Sequence, residues 1–224
     1  MRVLVLSSGG KDSSLALWWS ICQGWTISSV VTVSIKGEDS WMFQIPGTKL
    51  AELQCKDMDL QHQMITVSGE GEVEVEELLE GLRPLIEAHS IDALVCGALR
   101  SEYQRRRIDR ICEELAIHSF SPLWHHDAER HMHELLECGM EMWMVSVSCD
   151  GLDEDWLGRK LDIEAFDELS KLSSKFRFSI DGEGGEFETI ITSGPHMNGR
   201  IVFEAGHQWS GNRGHLNITA MKLE

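Results

Sequence analysis

The chain has 224 residues, enough for one large domain or two small ones with a real core. With 42% hydrophobic and 25% charged residues it has the composition of an ordinary globular protein. No apolar run is long enough to span a membrane or form a signal-peptide core, so the cytoplasm is the expected compartment. The formal net charge of −17 repels a phosphate backbone, so direct nucleic-acid binding is not expected.

In chain order, Arg2–Leu6 is a β-branched and leucine run, read as a buried strand. Leu15, Leu17, Trp18 and Ile21 recur at helical spacing across Ser13–Gln23, and Gly24 follows as a stop signal. Trp25–Ile35 is rich in Val, Ile and Thr and reads as a second strand, and Thr48–Asp57 as a helix. His62–Val67 is a third strand, Val73–Ser90 a long helix, Ala93–Cys96 a fourth strand and Ser101–Leu115 another long helix. This alternation predicts an α/β fold with a parallel sheet covered on both sides. Ser119–Trp124, with its proline, interrupts the pattern and sets a boundary between portions 1–120 and 121–224. Beyond it come a helix over Ala128–Cys138, a strand over Glu141–Val147 and a helix over Asp162–Ser173. The glycine-rich tail has strand-like runs at Phe187–Thr192, Arg200–Phe203 and His215–Met221, so the second portion is expected to be smaller and mixed α+β.

Three residue groups invite a ligand and are weighed first. The six cysteines contain no Cys-x-x-Cys pair and several sit in apolar runs, so buried thiols are expected rather than a zinc or iron–sulfur site. His125, His126, Asp127, His131 and His133 gather at a predicted helix without His-Glu-x-x-His spacing, which favours a solvated face over a metal site. Arg105–Arg106–Arg107 with Arg110 is the one basic knot, readable as a solvated helix face or as an RNA contact.

The strongest chemical signal is Ser8-Gly9-Gly10-Lys11-Asp12-Ser13, directly between the first strand and the first helix. Gly9 and Gly10 let the backbone approach an anion and adopt positive φ. Successive amides then form an anion nest, with the positive helix end behind them. The Ser8 and Ser13 hydroxyls can donate to phosphate oxygens and Lys11 adds charge, while Asp12 either works with Mg²⁺ or caps the helix. A Walker loop would need glycine where Val5 stands, and Gly-x-Gly-x-x-Gly is absent. A second constellation, Gly182-Glu183-Gly184-Gly185-Glu186-Phe187-Glu188-Thr189, places three carboxylates within six residues. Strand alternation sends Glu186 and Glu188 to one face, where they could hold Mg²⁺, a cationic group or ammonium.

The loop resembles the pyrophosphate loop of the N-type ATP pyrophosphatases. Together with Glu183–Thr189, with Gly97-Ala98 and Ser101-x-Tyr103-Gln104-Arg105-x-Arg107, and with Gly151-Leu152-Asp153 and Trp156-Leu157-Gly158-Arg159, it resembles the diphthine–ammonia ligase (diphthamide synthase) family. The resemblance runs from the first strand to about Thr189 and departs at Ser40-Trp41-Met42-Phe43, where the family has tyrosine in place of Trp41. It implies a Rossmann-like sheet of the adenine-nucleotide alpha-hydrolase type. It also implies ATP-dependent amidation of diphthine on translation elongation factor 2 by ammonia, through an acyl-adenylate, with ATP and Mg²⁺ as cofactors. A tRNA-modifying ATP pyrophosphatase or another amide ligase is the alternative, and the acidic charge counts against the former. Carried onto this chain, the resemblance assigns Lys11, Asp12, Glu183 and Glu186 to catalysis, with Asp12 also on the metal. It assigns Ser8 to Ser13 and Gly97 to the nucleotide. Trp41, Tyr103, Gln104, Arg107, Trp156, Gly184, Gly185, Glu188 and Thr189 fall to the substrate. Diphthine carries a trimethylammonium, which aromatic rings can hold for about 0.5–2 kcal/mol each; Trp41, Tyr103, Trp156 and Phe187 are the candidate rings. With no appended domain in view, an archaeal source is the expected one.

Overall fold

The computed structural model describes residues 1–36 and 47–224, so Trp41 and its neighbours in the substrate reading lie outside the described residues. Strands β1 (Arg2–Leu6), β2 (Thr26–Ile35), β3 (His62–Val67), β4 (Ala93–Val95) and β5 (His118–Phe120) form one parallel sheet in the order β3-β2-β1-β4-β5. Helices α1 (Lys11–Cys22), α2 (Gly47–Asp57), α3 (Gly71–His89) and α4 (Glu102–Glu114) connect the strands. The α/β reading holds, with one correction. A fifth strand that the residue pattern did not announce, β5, is three residues long and paired to β4 from Ala93↔His118 to Val95↔Phe120. A strand this short carries no periodicity of its own, and its partner supplies its register.

Alternation along β1 divides the interior. Val3 and Val5 point into a cluster with Leu15 of α1 and Leu50 of α2, whereas Leu4 points into one with Leu79 and Leu82 of α3 and Ile111 of α4. In α3 the apolar spacing Val75, Leu79, Leu82, Ile86 places one buried stripe against the sheet.

After β5 come α5 (Ala128–Glu137), β6 (Glu141–Val147), α6 (Ile163–Phe176), β7 (Phe187–Ser193), β8 (Ile201–Ser210) and β9 (Arg213–Leu223). The second sheet has the order β7-β6-β9-β8, and its described pairs are antiparallel. The runs expected at Arg200–Phe203 and His215–Met221 extend into a long β8–β9 hairpin, with register from Ile201↔Leu223 to Ser210↔Arg213. The two sheets share one interior: Val3, Leu15 and Leu50 belong to the same apolar cluster as Met142, Leu169, Ile190 and Ile218. Helix α1 is consequently buried on several sides, with Ser14 and Ser20 inside as well as Leu15, Ala16 and Leu17.

Candidate active site

Chain order reverses between β1 and β4, which connect to opposite sides of the sheet. A crevice opens at the carboxyl ends of such strands. Here it holds a cavity of about 630 Å³ reached by Ser8, Gly10, Asp12 and Ser13 after β1 and by Gly97 after β4. Part of its wall is apolar, with Val31, Val33, Val67 and Leu78, and a volume of this order falls in the range of roughly 300–1,000 Å³ that small-molecule sites occupy.

The loop is held rigidly from behind. Gly9 has φ +83°, and a Cβ there would come within 2.7 Å of Leu50, so only glycine fits this turn. Its carbonyl accepts from Ile191 N–H of β7 at 3.1 Å and from Gln54 Nε2 of α2 at 3.1 Å. The expected positive φ at Gly10 is not found: Gly10 is extended (φ −78°) and is the N-cap of α1. The amides of Lys11, Asp12 and Ser13 therefore occupy the first turn, where a helix has no internal acceptors and an anion is favoured. Ser13 Oγ donates to the Gly10 carbonyl at 3.1 Å, and Ser7 Oγ donates to Ser13 Oγ at 3.0 Å. Ser8 is exposed at the cavity mouth.

Asp12 does not cap the helix. It lies inside the first turn, with Oδ2 accepting from Lys11 Nζ at 2.8 Å and Oδ1 2.7 Å from His131 Nε2. His131, expected on a solvated face, is completely buried, because α5 packs that face against α1 after Asp127 caps its start. His131 Nδ1 has no hydrogen-bond partner among the described residues. Burial pushes the Asp12 carboxyl up, but Lys11 and His131 more than offset this, and it ends below the ordinary carboxylate range. Gly97 makes the arrangement possible: a Cβ there would stand 2.7 Å from the Asp12 carbonyl carbon and 2.8 Å from Ser13 N.

The three carboxylates of the acidic turn do not share a face. Glu183 Oε1 accepts from Arg100 N–H at 2.9 Å, and Glu186 Oε1 from Ser179 N–H at 2.8 Å. The reason is that Glu186 belongs to the turn and not to β7, so strand alternation does not govern it. A Cβ on Gly184 would sit 2.7 Å from Glu186 Oε1, and the Gly185 carbonyl accepts from Ser148 Oγ. Glu188 lies within β7, beyond the turn. Desolvation raises its pKa and the charge of Lys11 opposes the rise. Thr189 is buried, with its carbonyl 3.2 Å from where a Gly10 Cβ would be. Two residues that the sequence reading passed over brace this turn. Asp181 is fully buried, paired with the Arg100 guanidinium, and accepts from Ser179 Oγ at 2.7 Å. Both lie beside recognised segments, Arg100 next to Ser101 and Asp181 next to Gly182, which was the available signal.

On the opposite wall, Tyr103, Gln104 and Arg107 line the same cavity as the loop. The Arg107 guanidinium already covers the Tyr103 ring, 3.2 Å from its centroid, and pairs with Glu72. Trp156 and Phe187, each 3% exposed, are core residues and reach neither the cavity nor the surface, which corrects their place as substrate-facing rings. The arginine knot is matched by acids: Arg105 with Asp109, Arg106 with Glu102, Arg107 with Glu72, and Arg110 with Glu76 and Glu114. That pairing favours the solvated-face reading over an RNA contact. Five of the six cysteines are at least partly buried, and Cys22 is exposed.

Comparison with known proteins bears on this geometry. Residues 1–119 match the family described as diphthamide synthase N-terminal domain, and residues 127–223 match the diphthamide synthase C-terminal domain. A Homo sapiens protein named diphthine–ammonia ligase is 30% identical over 226 residues, covering 92% of this chain and 84% of that protein. A Schizosaccharomyces pombe protein of the same name is 31% identical over 218 residues, covering 90% of this chain and 36% of its own length. A solved Methanocaldococcus jannaschii chain, described as a predicted subunit of tRNA methyltransferase, aligns over 98% of both chains at 18% identity and a TM-score of 0.44.

Proposed function

The chain belongs to the diphthamide synthase family, and on that premise we propose that it amidates the carboxylate of diphthine on translation elongation factor 2, using ATP and ammonia. In this reading the first-turn amides of α1 and Lys11 grip the β and γ phosphates, leaving the α-phosphate toward Glu188 and the adenine end toward the apolar wall of Val31 and Val67. The diphthine carboxylate attacks the α-phosphorus, pyrophosphate leaves, and an acyl-adenylate forms. Ammonia then adds to the acyl carbon, AMP departs and a proton is released, giving the amide. Among the described residues no three metal-binding side chains gather, so a Mg²⁺ ion accompanying the triphosphate would draw on Asp12, phosphate oxygens and water. Both Asp12 oxygens keep lone-pair capacity for this beyond their bonds to Lys11 and His131.

The observation that carries the reading is that the strand of the acidic segment meets the loop in the fold: the Gly9 carbonyl accepts from Ile191 N–H at 3.1 Å, and the Thr189 carbonyl lies against Gly10. In this reading the two signature segments form one site. Of the three carboxylates, the reading gives Glu188 the acceptor and gives Glu183 and Glu186 the bracing of the turn. The test is purified protein with ATP, ammonium and the diphthine form of the elongation factor. AMP formation together with conversion of the acid to the amide, read by mass spectrometry of the factor, is expected; ADP as the only nucleotide product would refute the proposal.

A further inference from the structure

Packing alone does not call for an imidazole at His131. The residue lies near the start of α5, where its backbone N–H donates to the Asp127 carbonyl at 2.8 Å. Its buried neighbours Met132 and Leu135 join the apolar cluster of Leu15 and Leu17. The residue is 0% exposed, and Nδ1 has no hydrogen-bond partner among the described residues. Burying an unpartnered nitrogen is unfavourable, so a leucine or phenylalanine would serve the packing better. What the imidazole adds is at its other nitrogen, since Nε2 stands 2.7 Å from Asp12 Oδ1. An ionised carboxylate can only accept, so Nε2 carries the proton and donates it.

Asp12 is the outward half of this contact. Its partners Lys11 and His131 have side chains 7% and 0% exposed, whereas its own is 29% exposed and lines the cavity. The carboxylate is gripped from behind at both oxygens, Oδ2 by Lys11 and Oδ1 by His131. The two grips differ in kind. Lys11 carries three N–H groups on a flexible stem, so it can turn to a phosphate oxygen. His131 is a rigid ring on a packed helix with a single N–H to give. When Lys11 turns toward an anion, the imidazole is what keeps the carboxylate plane in place. Asp12 comes from the loop after β1 and His131 from the second portion of the chain, so the contact ties the two portions together at the site.

We propose that His131 is a positioning residue for the reaction: its Nε2–H holds the Asp12 carboxylate so that the remaining lone pairs face a Mg²⁺ ion accompanying the triphosphate. The proposal rests on the ATP reading of the loop. It makes α5 part of the nucleotide site, although His131 touches neither nucleotide nor acceptor and acts through Asp12 alone.

The test is calorimetry of ATP binding to the whole protein without acceptor, once in excess Mg²⁺ and once in EDTA. Wild type is expected to bind ATP more tightly with Mg²⁺. His131→Phe keeps a ring but has no donor. It should retain the affinity measured in EDTA and lose about tenfold of the affinity measured in Mg²⁺. His131→Gln, whose amide nitrogen ends near the place of Nε2, should recover most of that loss. His131→Asn, whose amide nitrogen ends near the place of Nδ1, should not. If His131→Phe disturbs the fold by circular dichroism, the contrast between His131→Gln and His131→Asn decides. Equal weakening in Mg²⁺ and in EDTA would mark a merely structural histidine and overturn the proposal. So would wild-type binding that ignores Mg²⁺, or a Mg²⁺ effect of the same size in every variant. Absence of ATP binding by wild type in both conditions refutes the ATP reading itself, whereas ATP binding indifferent to His131 refutes the positioning role alone.

Discussion

At the scale of single residues, the site turns on Lys11. It is 6% exposed, and its ammonium pairs with Asp12 at 2.8 Å. Removing a charge held for a developing phosphate negative charge costs about 100-fold or more in rate. Lys11→Ala should lower AMP formation by at least that factor while the circular dichroism spectrum and the cooperative melt are retained; near-wild-type turnover would show that the loop does not act on the nucleotide. Lys11 and Asp12 could be picked out in the sequence because they sit in a contiguous motif. His131 could not, since it comes from α5, 119 residues from Asp12, and nothing local distinguishes a histidine on a buried helix face from one on a solvated face.

At the scale of elements, two contacts hold the cleft together. The end of β4 passes so close to the first turn of α1 that Gly97 has no room for a side chain. Because the obstructing atoms are backbone, Gly97→Ala must move the helix, at a cost of about 1–3 kcal/mol. A lower melting temperature together with weaker ATP binding by calorimetry is the expected outcome, and a variant indistinguishable from wild type would contradict the close approach. The second contact joins the β4–α4 connection to the acidic turn through Arg100 and Asp181, with side chains 32% and 0% exposed. Burial raises the Asp181 carboxyl, but Arg100 and Ser179 more than offset it and hold it below its usual range. Arg100→Met strands that buried anion, and removing one partner of such a pair costs about 3 kcal/mol when part of it is solvated. Urea unfolding should record that loss, and Arg100→Met combined with Asp181→Leu should recover part of it.

At the scale of the whole molecule, acid should be the weak side. Burial lowers the pKa of His62, His126 and His196, and pushes His196 down to about 4. A histidine that stays neutral when folded but protonates when unfolded makes the unfolded state bind more protons between its two pKa values. The stability it contributes is therefore present above the unfolded value near 6.5 and is lost as pH falls toward about 4. Melting temperature should drop through that window, and His196→Phe should flatten the drop. A wild-type profile that is level between those pH values would contradict the buried, neutral His196.

By itself, the sequence determined the alternating α/β order, the loop between the first strand and first helix, and the acidic segment before Phe187, because each is written in neighbouring residues whose periodicity or turn chemistry is local. The tertiary structure alone decided the rest. Three-residue β5 exists through its pairing with β4, and the β8–β9 hairpin runs longer than its apolar pattern. Glu183 and Glu186 turned to backbone amides, and Trp156 went into the core. Which carboxylate or ring faces a ligand depends on which neighbour satisfies or covers it, and those neighbours come from distant parts of the chain.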